Sequence, residues 1–332
     1  MNAELPLAEP GFHLEVTDGH RLWVEIKGNS GGIPAVFLHG GPGGGFQPGH
    51  ANLFDPSRFR TVFFDQRGAG RSLPKGGLVA NTTAHLVADM ERLRQHFGFQ
   101  RWLIVGGSWG ATLALAYAEA HPGRVSGLVL RAVFLGTGPE LDWAFGTGLH
   151  QFHPALHQDF LGFLPEPERG DPLPNYYRRI LDPDPAIHLP AALAWHDTER
   201  ILSEVAPSHT RLAITADRPR PNSPFVEAHY FRNDCFLAPG ALLDQADRLA
   251  GIPGVIVQGR YDLLCPPATS HALTGRWPDA QVCTVEMSGH SLSHPGVHQA
   301  VKQAIAAFDG TGFGLFDLPL PDPARGPARG PA

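Results

Sequence analysis

Short, almost uninterrupted apolar runs alternate with glycine-rich or polar turns through the first 135 residues of the chain. Such runs are typical of strands that are covered on both faces of a parallel sheet. They predict strands at residues 33–38, 60–64, 102–105 and 127–135. Before them, residues 12–16 and 21–26 alternate in polarity on either side of a Thr-Asp-Gly-His turn, which predicts a β-hairpin.

Helical spacing and a change of texture complete the pattern. Apolar residues recur along one helical face over residues 83–97, and a closing helix is predicted at 297–308. Strand signals stop near residue 136 and return at 254–258 and 280–286. Aromatic residues, histidines and prolines are abundant between them, so residues 137–240 are predicted to be a helical insertion.

This pattern predicts an α/β fold with a mostly parallel central sheet. The expected organisation is a core formed by residues 1–136 and 241–316, the helical insertion at 137–240, and a disordered Pro/Gly-rich tail at 317–332.

Composition narrows the function classes. The net charge is −6 and no basic run occurs, so neither a nucleic acid nor an anionic membrane is expected as a partner. No apolar stretch approaches the roughly 20 residues of a membrane span, and the N-terminus lacks the features of a secretory signal. The three cysteines are too widely spaced for a C-x-x-C metal site or a disulfide framework, which favours a cytoplasmic location.

The strand at 102–105 leads into a motif that carries chemistry. Gly106 and Gly110 flank Ser108 in a G-x-S-x-G pattern, and an Ala/Leu-rich helical segment follows. A strand, a sharp turn and a helix with serine at the apex form the layout of a nucleophile elbow, in which side chains at the glycine positions would collide. Ser108 is therefore the candidate nucleophile.

A serine nucleophile needs a base and a group that orients the base. Asp262 follows the strand at 254–258, and His290 follows the strand at 280–286, in the chain order Ser, Asp, His. All three lie at the carboxyl ends of predicted strands, the edge at which parallel sheets bind ligands. Gly41 and the N–H of Trp109 are the candidate oxyanion donors.

No metal or other cofactor is expected. His150, His153 and His157 are spaced at helical intervals, but Pro154 lies among them and no carboxylate or cysteine completes a ligand set.

Several segments together resemble the proline iminopeptidases (prolyl aminopeptidases) of the α/β-hydrolase superfamily. They are His-Gly-Gly-Pro-Gly-Gly-Gly from 39, Asp-Gln-Arg-Gly-Ala-Gly-Arg-Ser from 65, Gly-Gly-Ser-Trp-Gly from 106, Leu-Arg-Ala-Val-Phe-Leu from 130, and Gly-Arg-Tyr-Asp from 259 with Cys-Pro-Pro from 265. The resemblance implies an α/β-hydrolase fold with a helical cap and a serine aminopeptidase that releases N-terminal proline through an acyl-enzyme. It further implies that Glu199 and Glu227 bind the substrate's free amine and that Phe134 forms an apolar wall for the prolyl ring.

The sequence also departs from that family's pattern. Thr198 stands where the family has tryptophan before Glu199, Ala144 stands where an aromatic residue usually helps to enclose proline, and Ala132-Val133 replaces Gly-Ile. These departures keep open an amidase or esterase acting on a non-peptide metabolite with the same triad. A non-catalytic ligand-binding homologue is a further alternative. The expected partner is a small peptide, amide or ester substrate, and the oligomeric state is left open.

Overall fold

The computed structural model describes residues 10–214 and 218–314. Eight strands occur in these residues and form one sheet. They are β1 (Phe12–Glu15), β2 (Arg21–Gly28), β3 (Ile33–Leu38), β4 (Phe59–Phe64), β5 (Trp102–Ser108), β6 (Val125–Val133), β7 (Gly254–Gly259) and β8 (Ala280–Val285).

The strand order in the sheet is β1-β2-β4-β3-β5-β6-β7-β8. β1 and β2 form the predicted antiparallel hairpin, and β2 also pairs antiparallel with β4. Every other pair, from β4 through β8, is parallel. The predicted α/β fold with a mostly parallel sheet is therefore confirmed.

Helices connect the parallel strands, as βαβ crossovers require. Between β6 and β7, the described residues form helices and no strands. The α-helices are α1 (Thr83–His96), α2 (Trp109–Ala120), α3 (Gly138–Asp142), α4 (Gly148–Phe152), α5 (Pro154–Phe163), α6 (Pro172–Ile180), α7 (Pro185–Leu202), α8 (Ser223–Phe231), α9 (Ala241–Asp244), α10 (Pro267–Thr274) and α11 (Pro295–Ala307).

Both faces of the sheet are buried, as the uninterrupted apolar runs predict. One apolar core joins α1 and α2 to the sheet and continues into the helices between β6 and β7. A second core on the opposite face packs α11 against the central strands. β5, at the centre, is buried along its whole length except at Ser108.

The sixth strand begins and ends two residues earlier than predicted. Val125 pairs with Trp102 of β5, which starts the strand early. At the other end, Ala132 has a φ of 49°, and the N–H of Leu135 donates to the Glu140 carboxylate instead of to a neighbouring strand. β5 is longer than predicted because Gly106 continues the pairing with β3 and β6, and Gly107 continues it with β6.

Helix α10 was not predicted, because Pro266 before it and Pro267 at its first position together look like a loop signal, although proline is well suited to the first position of a helix. The predicted disordered tail, residues 317–332, lies outside the described residues. Among the described residues, no helix combines the length and apolar character needed to cross a bilayer.

Candidate active site

Ser108 lies where β5 turns directly into α2. Its dihedral angles, φ 56° and ψ −126°, fall in a region that costs energy for any residue with a side chain. A Cβ on Gly106 would lie 2.4 Å from the Gly110 carbonyl oxygen, and a Cβ on Gly110 would lie 2.3 Å from that of Leu38. The glycines of the motif are therefore a steric requirement of the turn. Ser108 immediately precedes α2. The unpaired N–H groups of the first turn of α2, beginning with that of Trp109, therefore lie at the end of the helix nearest Ser108.

Asp262 and His290 are brought together by the turns after β7 and β8. His290 Nδ1 lies 2.9 Å from Asp262 Oδ2 and 3.1 Å from Oδ1. The same carboxylate accepts the N–H groups of Leu264 at 3.0 Å and Cys265 at 2.8 Å, which fixes its orientation. Because an ionised carboxylate only accepts hydrogen bonds, Nδ1 carries the proton and Nε2 is the basic nitrogen of the ring. Both side chains are buried, and the pair has the geometry of an oriented general base.

Arg131 of β6 connects the serine loop to the histidine loop. Its guanidinium donates to the carbonyl oxygen of His290. The same group lies against the elbow, since a Cβ on Gly107 would lie 2.6 Å from Arg131 Nη2. Burial lowers the pKa of this guanidinium, and the negative charge of Asp262 opposes that effect. The role of Arg131 was not predicted, because an arginine within an apolar strand forms no motif by itself.

The glycine-rich loop after β3 packs beside the elbow. A Cβ on Gly40 would lie 3.6 Å from Ser108 Cβ. Gly41, the candidate oxyanion donor, has a φ of 111°, and a side chain there would approach Ser223 Oγ of α8 to 3.3 Å. The loop that carries Gly41 therefore contacts both the nucleophile's turn and the helical region between β6 and β7.

The segment after β4 holds that loop in place. Asp65 Oδ1 accepts the N–H of Phe46 at 2.7 Å. The backbone N–H of Gln66 donates to His39 Nε2 at 3.0 Å, and its side-chain amide donates to the His39 carbonyl at 2.9 Å. Gln66 Oε1 in turn accepts the indole N–H of Trp109 at 2.8 Å. The Asp-Gln-Arg-Gly segment contributes to the family resemblance, but its supporting function was not predicted.

Glu199 of α7 and Glu227 of α8 lie near enough to each other for each carboxylate to affect the pKa of the other. Glu227 is 1% exposed, and Glu199 is half-buried. Trp195 Nε1 donates to Glu227 Oε2 at 2.8 Å, and the Ser223 hydroxyl donates to Oε1. Ser223 also lies next to Gly41, so the carboxylate pair adjoins the glycine-rich loop.

The two carboxylates have strongly perturbed acidity. Burial raises the pKa of Glu227 to about 7, against the lowering effect of the hydrogen bonds it accepts. Burial and the adjacent Glu227 raise the pKa of Glu199 well above its ordinary value. Perturbed carboxylates next to a catalytic turn are typical of a functional site, and a desolvated pair of this kind suits a ligand cation.

Phe134 lies just beyond the end of β6 and is 7% exposed. Its ring meets Phe231 of α8 edge-on at 5.9 Å, and its carbonyl accepts the Thr112 hydroxyl at 2.7 Å. Trp195, the indole that donates to Glu227, packs against Phe231 with 6.3 Å between ring centroids. Phe134 and Trp195 therefore belong to the same aromatic group.

The positions that depart from the family pattern are buried. Thr198 is fully buried, and its hydroxyl donates to the Ala194 carbonyl within α7. Ala144 lies in a π-helical turn between α3 and α4 and is 4% exposed. Its neighbour Phe145 stacks on Trp195 with 3.9 Å between ring centroids. An aromatic ring thus packs against the carboxylate site from the residue next to Ala144.

Helix α8 is tied to the sheet side of the site by side-chain hydrogen bonds. Asn222, at its N-terminus, donates to the carbonyls of Gly43 and Gly68. Tyr230 donates to Asn81 Oδ1 at 2.7 Å. At the C-terminus of α7, a backbone hydrogen bond makes the contact: the carbonyl of Ser203 accepts the N–H of Ser291, the residue after His290, at 3.1 Å. Each helix that carries a glutamate therefore contacts a loop of the catalytic edge.

Within residues 10–214 and 218–314, no three His, Cys, Asp or Glu side chains form a cluster that could hold a metal ion. The arrangement instead joins a strained serine at a helix N-terminus, a buried Asp–His pair and a desolvated carboxylate pair. Such a set of groups supports nucleophilic attack on an acyl carbon next to a cationic group.

The comparisons with known proteins agree with this fold. Residues 34–297 match the family model of the α/β-hydrolase fold, and the chain belongs to that family. A proline iminopeptidase-related protein from Thermus thermophilus has a similar solved structure, with a TM-score of 0.58 and 23% sequence identity over 90% of this chain and 98% of that one.

Sequence relatives narrow the family further. The chain is 42% identical over 289 residues to the proline iminopeptidase of Arabidopsis thaliana, covering 86% of this chain and 76% of that protein. It is also 42% identical over 323 residues to the proline iminopeptidase of Xylella fastidiosa strain Temecula1, covering 93% and 99%. The chain therefore belongs to the proline iminopeptidases, and the resemblance inferred from its motifs is confirmed.

Proposed function

We propose that this protein is a serine aminopeptidase that releases N-terminal proline, or a similar small residue, from small peptides through an acyl-enzyme. The observation that carries the proposal is the position of the Glu199–Glu227 pair. Ser223 donates to Glu227 and lies beside Gly41 of the loop that contacts the nucleophile's turn. A cationic amine bound by the pair would therefore lie close to the reacting serine, as the removal of one N-terminal residue requires.

In the proposed mechanism, Ser108 Oγ attacks the carbonyl carbon of the N-terminal residue while His290 Nε2 takes its proton. Asp262 holds the imidazole by its Nδ1–H and stabilises the imidazolium. The tetrahedral intermediate then collapses, the peptide nitrogen leaves with the proton from His290, and residue one stays esterified to the serine. Water attacks the ester with His290 as base and frees proline and Ser108.

The backbone N–H groups of Gly41 and Trp109 are the proposed oxyanion donors. Trp109 supports this role by its place at the first position of α2, where its N–H has no partner within the helix. Gly41 supports it by its place in the loop packed on the elbow. The Asp65 and Gln66 hydrogen bonds would keep that loop preorganised, which is where most of the benefit of an oxyanion site arises.

Substrate selection is assigned to Glu199, Glu227 and Phe134. The charged nitrogen of an N-terminal proline has two N–H bonds, and the pair offers one carboxylate for each. An N-acetylated proline has neither the charge nor the N–H donors, so it would leave the desolvated carboxylates without compensation. The Phe134 ring would contact the apolar face of the pyrrolidine.

One observation favours a second candidate, an amidase or esterase for a non-peptide metabolite. Thr198 and Ala144 place small side chains in buried positions beside the carboxylate site, so the space available to a substrate differs from that of a strict proline site. The same triad and oxyanion donors would serve this reaction.

A cytoplasmic location and a small, soluble substrate without a macromolecular partner complete the proposal. Its support is the reduced, buried state of all three cysteines, Cys235, Cys265 and Cys283, and the acidic net charge.

A comparison of L-prolyl-p-nitroanilide with its N-acetyl derivative tests the proposal. We expect rapid hydrolysis of the free-amine substrate and at least about 100-fold slower hydrolysis of the blocked one, since an unpaired buried charge costs several kcal/mol. Equal rates on the two substrates would reject the aminopeptidase. Activity on short acyl esters with none on a panel of aminoacyl anilides would support the second candidate instead.

A further inference from the structure

The N–H of Gly41 and the carbonyl of Gly40 belong to one trans peptide unit. In a trans peptide these two groups point in opposite directions, so whatever holds the carbonyl also sets the direction of the N–H. Neither glycine has a Cβ that would restrict rotation of this unit. The direction of the proposed oxyanion donor therefore depends on the hydrogen bonds that the Gly40 carbonyl accepts.

His39 supplies the shorter of two such bonds. Its Nδ1 lies 2.9 Å from the Gly40 carbonyl oxygen, and the N–H of Gly44 donates to the same oxygen at 3.3 Å. The imidazole is also held at its other nitrogen, because the backbone N–H of Gln66 donates to Nε2 at 3.0 Å. His39 therefore links the peptide unit of the oxyanion donor to the segment after β4.

These contacts select one tautomer of His39. Nε2 accepts from Gln66 and so has no proton, which leaves the proton on Nδ1, where the Gly40 carbonyl accepts it. The N–H of Gly45 also approaches Nδ1, at 3.2 Å, and favours the opposite tautomer. That tautomer would set two donors against each other at Gln66 and two acceptors at Gly40, so the two shorter contacts decide. Burial lowers the pKa of His39, against the raising effects of the Gly40 bond and the Asp65 charge, and the ring is neutral near pH 7.

The same network reaches the second proposed oxyanion donor, Trp109. Gln66 Oε1 accepts the indole N–H of Trp109 at 2.8 Å, and the side-chain amide of Gln66 donates to the His39 carbonyl at 2.9 Å. All three side chains are buried, where hydrogen bonds are electrostatically stronger than in water. The residue that offers one N–H and the peptide that offers the other are thus joined through Gln66 and His39.

We infer that His39 and Gln66 are positioning residues that set the direction and spacing of the two oxyanion N–H groups, with the Nδ1–H of His39 holding the peptide unit before Gly41. The inference rests on the serine acyl transfer of the proposed function, but not on proline as the substrate, because the tetrahedral intermediate of any ester or amide carries the same oxyanion. A rotated peptide would present the Gly40 carbonyl oxygen in place of the Gly41 N–H and repel that charge.

Two substitutions separate the nitrogens of His39. Asparagine places its amide near the position of Nδ1, where it can still donate to the Gly40 carbonyl. Glutamine places its amide near Nε2, where it can accept from Gln66 but leaves the Gly40 carbonyl without this donor. On both L-prolyl-p-nitroanilide and p-nitrophenyl acetate, His39→Gln should lower kcat about 10- to 100-fold with KM changed by less than about threefold. His39→Asn should keep kcat within about fivefold of the unmodified protein.

L-prolinal gives a readout that a general loosening of the fold would not move. Its aldehyde carbon bonds to Ser108 Oγ, the serine proton passes to His290, and the former carbonyl oxygen takes the place of the oxyanion. The Ki of prolinal should rise in His39→Gln by about the factor by which kcat/KM falls. The Ki of L-prolinol, which has no carbonyl and forms no adduct, should change by less than about threefold.

His20→Asn is the matched control. It removes a comparable bond between a buried imidazole, at Nε2, and a backbone carbonyl, that of Val79 at 2.8 Å, which lies outside the glycine-rich loop. Its kcat should stay within about threefold of the unmodified value even where its Tm falls as far as that of His39→Gln.

Equal losses of kcat in His39→Asn and His39→Gln, or a loss confined to KM, would overturn the inference. If neither variant folds, the two-bond ¹H–¹⁵N spectrum of the unmodified protein, with His39 assigned through its backbone, decides instead: a proton on Nδ1 supports the inference, and a proton on Nε2 overturns it. The variant pattern on p-nitrophenyl acetate, without any hydrolysis of prolyl anilide, would reject the proposed function and leave the inference intact. No hydrolysis of either substrate by the unmodified protein would reject both.

Discussion

The nucleophile elbow and the carboxylate pair are both specialised, but they are built in opposite ways. At the elbow the special property is the backbone conformation: Ser108 has strained dihedral angles, and there is no room for a Cβ on its flanking glycines. At the pair the backbone is ordinary α-helix, and the special property arises from side chains of α7 and α8 that meet in a desolvated place. The elbow can be recognised from a local sequence pattern, whereas the carboxylate pair depends on residues brought together by tertiary packing.

This difference predicts different responses to substitution. Changes at the elbow should remove chemistry for every substrate, whereas changes at the pair should act only on substrates that carry a free amine.

Ser108→Ala should have the largest effect. Loss of the nucleophile is expected to lower kcat by at least about 10⁴-fold on amide and ester substrates alike, with unchanged thermal stability or a small gain, because alanine leaves the fold intact. Steady-state kinetics on prolyl anilide and on a short acyl ester would check this. Residual activity within tenfold of the unmodified protein on either substrate would exclude Ser108 as the nucleophile.

Glu227→Gln should separate recognition from chemistry. It removes one of the two carboxylates proposed to bind the amine, so kcat/KM for prolyl anilide should fall about 10²- to 10³-fold, the usual consequence of breaking a buried charge interaction. Hydrolysis of an ester without an amine should change by less than about tenfold. A parallel loss on both substrates would mean that Glu227 supports the fold or the triad rather than the amine.

Arg131→Met tests the connection between the serine and histidine loops. Without the guanidinium, the carbonyl of His290 loses its donor, and kcat should fall by about 10- to 100-fold with little change in KM, because the misplaced base slows both acylation and deacylation. Arg131→Lys, which keeps the charge but not the planar donor, should recover only part of the rate. A change in KM alone would argue against a positioning effect on His290.

Glu199→Gln should give the smallest effect, a gain in stability. The pKa of each carboxylate is raised by folding, so the pair stabilises the protein fully only below the unfolded-state value near 4.5, and this contribution is lost as the pH rises through about 7. A glutamine side chain has a similar shape but does not titrate. We expect Tm to exceed that of the unmodified protein by about 2–5 °C at pH 8 and by less at pH 5. Differential scanning calorimetry at the two pH values would show the reverse trend if the pair were stabilising when ionised.

Much of the fold could be predicted from the sequence, because strands that are buried on both faces of the sheet require uninterrupted apolar runs. The strand at Ile33–Leu38 has the predicted bounds, and the hairpin and parallel strands follow from apolar runs and turn residues. Boundaries were less accurate where a side chain replaces a strand partner, as Glu140 does for Leu135. Helix α10 was not predicted because its two initial prolines are compatible with either a loop or a helix start, and only the tertiary context decides between them.

The candidate site divides along the same line. Ser108, Asp262 and His290 were chosen from motif and chain order, and the last two form a hydrogen-bonded pair. The pairing of Glu199 with Glu227 was accessible only through family resemblance, since residues 28 positions apart on two helices have no periodic relation. Arg131 and Trp195 were not predicted, because each acts through a single long-range hydrogen bond. Ser223 was not predicted either, because its bond to Glu227, one helical turn along α8, forms no motif.

Helix α8 has a consequence for any attempt to build chimaeras in this family. By chain order it lies inside the inserted segment, yet Asn222 and Tyr230 bond to loops between β3 and α1. A donor segment exchanged as the whole of residues 137–240 would arrive without matching anchors for these bonds. An exchange that stops before Asn222 would retain Glu227 in register and vary only the partner that comes from α7. Substrate range should therefore be easiest to diversify upstream of that boundary.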